Sequence, residues 1–168
     1  MQTIKHKQNG RSLLATVLLI PVLLIGIALA YFAFCEARKA YWDLQVKIMC
    51  ERDGGLKVYE KEKISLERYK QLGGQQDEIP IYSKSSAAID APYFTEETTT
   101  YLHKKNPQVR RSEVQYKKRQ NNKILAIYVY YARVGGDFPT FSHPSSQGCP
   151  FPKNGLTKQF IQIEGETK

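Results

Sequence analysis

The chain has 168 residues, of which 42% are hydrophobic, and its 25 basic and 16 acidic residues give a formal net charge of +9. This length excludes more than one domain of ordinary size once a membrane segment is subtracted. The basic balance suits anionic lipid headgroups, nucleic acid or acidic glycans as partners, and an ordinary solvated surface would show the same count.

An uncharged run of 22 residues, Leu13 to Phe34, organises the chain. A helix rises about 1.5 Å per residue, so this run is long enough to cross a hydrocarbon core of about 30 Å. Pro21 and Gly26 lie within the run, and membrane helices tolerate both residue types. The pattern predicts a short basic tail at 1–12, a transmembrane anchor over the run, and a soluble domain at 35–168.

A cleaved signal peptide is the alternative interpretation of this run. The tail is basic, and Ala28-Leu29-Ala30 is typical of a cleavage site after Ala30. The apolar run nevertheless continues from Tyr31 to Phe34, and aromatic residues suit the interface of a membrane. These features favour an uncleaved signal anchor.

The cysteines predict one disulfide and the side of the membrane on which the domain lies. Cys50 and Cys149 bracket the domain, whereas Cys35 lies at the membrane edge, roughly 22 Å of helix from Cys50. A disulfide needs Cα atoms within about 7 Å, so Cys50 and Cys149 are the predicted pair. Disulfides persist in oxidising compartments, and the short N-terminal tail also favours export, which places the domain in the periplasm of a bacterium. Two free thiols in a cytoplasmic domain are the alternative.

Helix is predicted to continue beyond the anchor, from Glu36 to Glu51, because neither glycine nor proline interrupts this segment. An apolar stripe at helical spacing is expected to pack under the soluble domain. This stripe consists of Ala37, Tyr41, Leu44 and Ile48. Asp53-Gly54-Gly55 then ends the helix and turns the chain.

The rest of the chain alternates strand-like segments with turn residues. The predicted strands are Leu56–Glu60, a short edge strand Ile79–Ser83, Phe94–His103, Val109–Arg119, Ile124–Val134 and Phe160–Ile163. Ser65 is expected to cap a short helix, Leu66–Leu72, and the turn-rich segment Gly135–Gly155 contains Cys149. The predicted fold class is α+β: an N-terminal transmembrane helix extended into a soluble helix, then a small antiparallel β-sheet domain.

A tight hairpin is predicted between the two longest strands, with Asn121-Asn122 as its two turn residues. This turn would pair Tyr116 with Ile127 on the core face of the sheet. Arg111 would then lie on the opposite face together with Tyr128.

A basic patch is the densest charge in the sequence, with eight basic residues between 104 and 123 and one acidic residue, Glu113. The eight are Lys104, Lys105, Arg110, Arg111, Lys117, Lys118, Arg119 and Lys123. With nearby tyrosines, such a hairpin suits phosphates and stacked bases of nucleic acid, or the headgroups of anionic lipid. A solvated hairpin whose lysines discourage edge pairing is the alternative.

Catalytic and metal-binding spacings do not stand out. His103 and His143 occur without an H-x-x-x-H or C-x-x-C pattern, which argues against a metal site. Cys149 near His143 would suit a thiol nucleophile, but Gly148 and Pro150 predict a turn there and favour the disulfide role. No enzymatic activity, metal or cofactor is predicted, and a thiol or hydrolytic enzyme is the less favoured alternative.

Residues 50–60, CERDGGLKVYE, resemble the C-x-x-D-G-G-x-K-V-Y-E opening of a group of membrane-anchored bacterial proteins. Gly135-Gly136-Asp137 and the run from Pro144 to Pro150 resemble the closing part of the same group. The resemblance implies a bacterial envelope protein and no known activity.

A second resemblance is architectural. Type IV pilin-like proteins also combine a short basic leader, an apolar helix extended into a soluble helix, a sheet and a disulfide-bounded C-terminal loop. Lys7-Gln8-Asn9-Gly10 is similar to the end of a prepilin leader, but Ala15 stands where such pilins usually have Glu. The favoured prediction is therefore a single-pass inner-membrane protein that presents a binding domain to an envelope partner, with a pilin-like subunit as the alternative.

Overall fold

The structure is a computed structural model that describes residues 9–75, 78–137, 144–150 and 155–165, with side chains described from Val17 onward. Its first element, α1, is a single helix of 45 residues, Asn9–Asp53. The N-terminal part of α1 is long and apolar enough to cross a membrane, and the side chains from Val17 to Phe34 are exposed. The predicted extension of the apolar helix into a soluble helix is confirmed.

The end of α1 is a glycine turn, as expected. Gly54 donates its backbone N–H to the carbonyl oxygen of Cys50 at 2.9 Å. Gly55 follows with φ of +106°, a conformation that side chains with a Cβ rarely adopt. The turn leads directly into the first strand, which begins at Gly55.

Two sheets follow α1 in the described residues. In chain order the elements are β1 (Gly55–Val58), β2 (Glu62–Ile64), α2 (Leu66–Gln71), β3 (Tyr93–His103), β4 (Gln108–Lys118), β5 (Ile124–Val134), β6 (Ser146–Cys149), a 3-10 turn (Thr157–Gln159) and β7 (Ile161–Ile163). The main sheet is antiparallel in the order β1-β5-β4-β3, and β6 pairs with the remaining length of β5. β2 and β7 form a separate parallel pair. The α+β class is confirmed.

The segment before β3 differs from the prediction of a short edge strand at Ile79–Ser83. An isolated bridge between Ser83 and Thr95 is the β-pairing that the structure records in this segment. The backbone N–H of Ile79 donates to the hydroxyl of Thr157 at 3.0 Å, and Pro80 has no N–H to give to a ladder. The prediction of that strand is therefore wrong. The predicted cap of α2 is confirmed, since the hydroxyl of Ser65 accepts from the backbone N–H of Arg68.

The β4–β5 hairpin has a longer turn than the sequence predicts. Lys118 donates its backbone N–H to the carbonyl of Lys123 at 2.9 Å, and Asn122 is the residue with positive φ, at 56°. An irregularity between Tyr116 and Lys117 then shifts the register by one residue, so that Lys117 pairs with Ile124 and Tyr116 pairs with Ala126 instead of Ile127. A one-residue change of register exchanges the faces of a strand. Tyr128 therefore lies on the face opposite Arg111, and the predicted pairing is wrong.

Strand β5 is buried on both faces, as expected for a central strand. On one face it packs under α1, where Val46, Val109, Val129 and Tyr131 form a small core. On the other face it packs under the second layer of the domain. That larger core consists of Ile64, Ile79, Tyr93, Leu125, Ala126, Tyr128, Leu156, Phe160 and Ile161.

The face of α1 that packs on the sheet is not the predicted one. Val46 is fully buried and Trp42 and Met49 pack beside it. Tyr41, about 140° around the helix axis from Val46, is exposed, as are the other members of the predicted stripe. The prediction that this stripe packs under the domain is wrong. The side of α1 that packs on the sheet also carries the polar residues that contact the sheet, and these contacts are described below.

Candidate interaction surfaces

A disulfide joins the top of α1 to the sheet. Cys50 and Cys149 are bonded, with Cα atoms 5.9 Å apart, so the predicted pair is confirmed. Cys149 ends strand β6 and pairs with Tyr131, which corrects the prediction that it lies in a turn. Because its sulfur is bonded, Cys149 is not a free nucleophile, and His143 lies outside the described residues. Cys35 is a free thiol and is 2% exposed.

A buried arginine holds the middle of α1. Arg133 on β5 is 2% exposed, and its Nε lies 2.5 Å from Oδ1 of Asp43 on the helix. The same guanidinium donates to the backbone oxygen of Gly135 and to Oγ of Ser145. A buried charge requires such a complete set of acceptors. No local pattern indicated this cluster, because Asp43 and Arg133 are 90 residues apart along the chain.

A third contact lies nearest the apolar part of α1. Lys39 Nζ is 2.8 Å from Asp137, whose carboxylate also accepts from the backbone N–H and hydroxyl of Ser145. Lys39, and then Ser145, lower the pKa of Asp137 below its ordinary value. The carboxyl of Asp137 therefore has a lower pKa in the folded protein than in the unfolded chain. It stabilises the fold at pH values above its pKa in the unfolded chain, and this stabilisation is lost as the pH falls through its pKa in the folded protein. Together the three contacts fasten the soluble half of α1 to the sheet.

The exposed stripe of α1 is an apolar surface on the part of the helix that follows the uncharged run. Tyr41 and Leu44 are each 55% exposed and Ile48 is 47% exposed, while Ala37 on the same line is also exposed. The spacing of four, three and four residues continues backward to Phe34 in the apolar segment. This spacing is the one that lets two parallel helices interlock along a seam. The stripe therefore presents an apolar seam that is continuous with the apolar N-terminal part of α1.

The basic patch is divided by the fold. Five of its eight residues are engaged by partners from other parts of the domain. Three lysines form ion pairs: Lys117 with Glu96 at 2.5 Å, and Lys118 with Glu62 and Lys123 with Glu60, both at 2.7 Å. Arg111 forms ion pairs with Glu113 at 3.0 Å and with Asp53 at 3.6 Å. Arg119 donates hydrogen bonds to the backbone carbonyls of Ala88 and Ala91. Lys117 is the main cause that lowers the pKa of Glu96 to about 2. This half of the patch is a network of ion pairs and hydrogen bonds.

The remaining three members lie towards the other end of the hairpin. Lys104 and Lys105 occupy the β3–β4 loop, are exposed, and have no ion-pair partner in the described part of the chain. Arg110 follows on β4, and its Nε is buried without a hydrogen-bond partner among the described residues. Trp42 of α1 stacks on His103 at the start of this loop, with ring centroids 4.6 Å apart.

No group of three potential metal ligands occurs in the part of the chain that the structure describes. A groove of about 430 Å³ opens between α2 and the segment before β3. Its lining includes Arg68, Tyr82, Asp90 and Tyr93, but neither histidine nor cysteine. Burial raises the pKa of Tyr93, which keeps that hydroxyl protonated. The groove offers hydrogen-bonding groups, and Ser86 in its lining accepts a hydrogen bond from the hydroxyl of Ser83.

Comparison of the chain with known protein families, with curated proteins and with solved structures finds no match. The arrangement of its own residues therefore carries the functional argument.

Proposed function

We propose that this protein is a single-pass protein of the bacterial inner membrane whose domain lies in the periplasm and acts as a non-enzymatic interaction module. The uncharged helix and the disulfide support the membrane topology, because disulfides persist in oxidising compartments. The observation that carries the interaction role is the exposed seam Ala37, Tyr41, Leu44 and Ile48. Exposed contiguous apolar surface on a folded domain marks an interaction site.

The partner that best fits this seam is a second helix leaving the same membrane in the same direction. Two copies of this chain meet that condition automatically, since both insert with one orientation. Their seams would run in parallel from the membrane segment to Ile48 and bury the exposed aromatic and aliphatic side chains against each other. The protein would then assemble laterally through α1 and carry its domains on the outside.

A pilin-like subunit is the second candidate. The same seam favours it, because a helix whose first half is apolar and whose second half belongs to the domain can pack against copies of itself in a helical assembly. The two candidates differ in processing. The pilin-like reading requires removal of the residues up to Gly10, whereas an anchored module keeps them.

The first prediction concerns topology. A fusion of alkaline phosphatase after Lys168 is expected to be active in a bacterial host, because the enzyme needs the oxidising periplasm for its own disulfides. Intact mass spectrometry of the membrane form should show an uncleaved chain. An inactive fusion, with a cytoplasmic reporter active at the same site, would reverse the orientation. A mature N-terminus at Tyr31 would indicate a signal peptide, and one at Arg11 would indicate pilin-like processing.

The second prediction concerns the seam. In a Cys35→Ser background, Leu44→Cys is expected to form a disulfide-linked dimer in membranes, because residue 44 of one copy lies near residue 44 of the other in a parallel pair. Lys47→Cys is the matched control, since Lys47 is also exposed on α1 but lies outside the seam. Non-reducing gel electrophoresis should show several-fold more dimer for the first variant. Equal yields from the two variants would contradict assembly through this seam.

A further inference from the structure

Lys104 and Lys105, two exposed lysines without an ion-pair partner among the described residues, lie at the end of the sheet that adjoins the apolar part of α1. We propose that the β3–β4 loop, residues 104–107, docks on the anionic lipid headgroups of the membrane that α1 crosses. The inference rests on the membrane crossing proposed above. It assigns Lys104 and Lys105 of the basic patch to lipid, and the five residues with partners in the domain to the stability of the fold.

The position of the loop along α1 supports this assignment. Trp42, which stacks on His103, lies eight residues beyond Phe34, which corresponds to about 12 Å of helix. Strand β5 runs towards the apolar end of α1, because Asp137, which follows β5, contacts Lys39. Strand β3 runs in the same direction as β5, since both are antiparallel to β4, and its last residue, His103, lies beside Trp42. The loop continues past His103 and advances by at most about 3.3 Å per residue, the rise of a fully extended chain. A lysine side chain then needs to extend only a few ångströms to enter a headgroup layer that is roughly 5–7 Å thick.

The loop is held in place by contacts that do not use its charges. Asn106 accepts the backbone N–H of Gly136 at 2.7 Å, and His103 Nδ1 lies 2.6 Å from the carbonyl oxygen of Pro107. Pro107 is itself buried. Lys104 and Lys105 are left exposed on a fixed turn, so binding lipid would not require the loop to fold first.

The acidic residues at this end do not neutralise the loop. Glu36 and Asp137 contact Lys39, and Asp43 contacts Arg133. Arg38 adds one more cation on α1: its guanidinium lies over the ring of Phe34 at 5.7 Å and its Nε has no hydrogen-bond partner in the described chain. Phosphate oxygens of lipid would supply acceptors for these groups, because arginine and lysine pair well with phosphate.

The test uses the full-length protein reconstituted in vesicles of phosphatidylcholine, with or without phosphatidylglycerol. A neutral, membrane-permeant acylating reagent modifies exposed lysines, and peptide mass spectrometry measures the rate at each. Phosphatidylglycerol should slow modification of Lys104 and Lys105 by about five-fold, the effect expected for one lysine at an anionic surface. Lys63 and Lys70, exposed on β2 and α2 towards the other end of the domain, are internal controls and should be unaffected. High salt should remove the protection.

A variant pair gives an independent readout. Trp42 is the only tryptophan and adjoins the loop, so its fluorescence should change when phosphatidylglycerol is added. Lys104→Gln with Lys105→Gln should abolish that change, and Lys63→Gln with Lys70→Gln should retain it.

Three results separate the possible failures. A protein that does not float with phosphatidylcholine vesicles would overturn the membrane crossing itself. A protein that floats but shows equal lysine reactivity in the two vesicle types would overturn only the lipid contact. Protection of Lys104 and Lys105 by a single-stranded oligonucleotide, and not by phosphatidylglycerol, would also overturn it in favour of nucleic acid.

Discussion

Replacing both Cys50 and Cys149 with serine is expected to lower the free energy of unfolding of the domain by roughly 4–5 kcal/mol. The bond closes a loop with a sequence separation of 99 residues, and in the chain-entropy model a loop of that length restricts the unfolded chain by about this amount. The bond also fastens the end of α1 to β6, a short strand that otherwise depends on pairing with β5. Urea unfolding of the detergent-solubilised protein, followed by the fluorescence of Trp42, measures the loss.

The reductant provides the matched control for this prediction. Reduction of the wild-type protein should shift its unfolding midpoint towards that of the double-serine variant, and the variant itself should not respond to reductant. Peptide mapping without reduction should find one Cys50–Cys149 cross-link and a separate peptide that carries Cys35. Free thiols at both positions in protein prepared without reductant would contradict the disulfide and weaken the exported topology.

Arg133→Met is expected to cost about 3–5 kcal/mol, the range for removing one partner of a buried ion pair. Methionine preserves much of the volume but leaves the carboxylate of Asp43 and the carbonyl of Gly135 without their donor. Because Asp43 is partly exposed, water can reach that carboxylate, which places the expected cost at the lower end of the range. The unfolding midpoint in urea measures the change.

Arg110→Met is the matched control, since it makes the same substitution on the neighbouring strand. Arg110 pairs across the sheet with Ala132, whereas Arg133 faces α1, and Arg110 has no ion pair in the described part of the chain. The control is expected to change the free energy of unfolding by less than about 1 kcal/mol. Similar losses for the two variants would contradict the assignment of Arg133 as the residue that fastens α1 to the sheet.

The main elements of the fold followed from local features of the sequence. The apolar run predicted a helix long enough to cross a membrane, and the lack of glycine or proline after it predicted the extension to the turn at Gly54-Gly55. A threonine-rich segment predicted β3, a segment that is apolar on both faces predicted β5, and Ser65 predicted the cap of α2. The disulfide was also predictable, because the length of α1 alone separates Cys35 from Cys50. Apart from the disulfide, each of these features depends on residues that are contiguous or closely spaced, which the sequence displays directly.

The tertiary structure decided which surfaces are free, because that depends on residues that are distant along the chain. The basic hairpin contains one acidic residue, but the fold brings Glu60, Glu62 and Glu96 to three of its lysines. Lys104 and Lys105 have no ion-pair partner among the residues that the structure describes. Helical spacing revealed an apolar stripe on α1, but it did not show whether this stripe faces the sheet or the solvent. A second side of the helix, which contains Trp42, Val46 and Met49, is also apolar. The contacts of Lys39, Asp43 and Cys50 with the sheet turn that second side inward. The stripe is exposed because these long-range contacts, and not its own hydrophobicity, orient the helix.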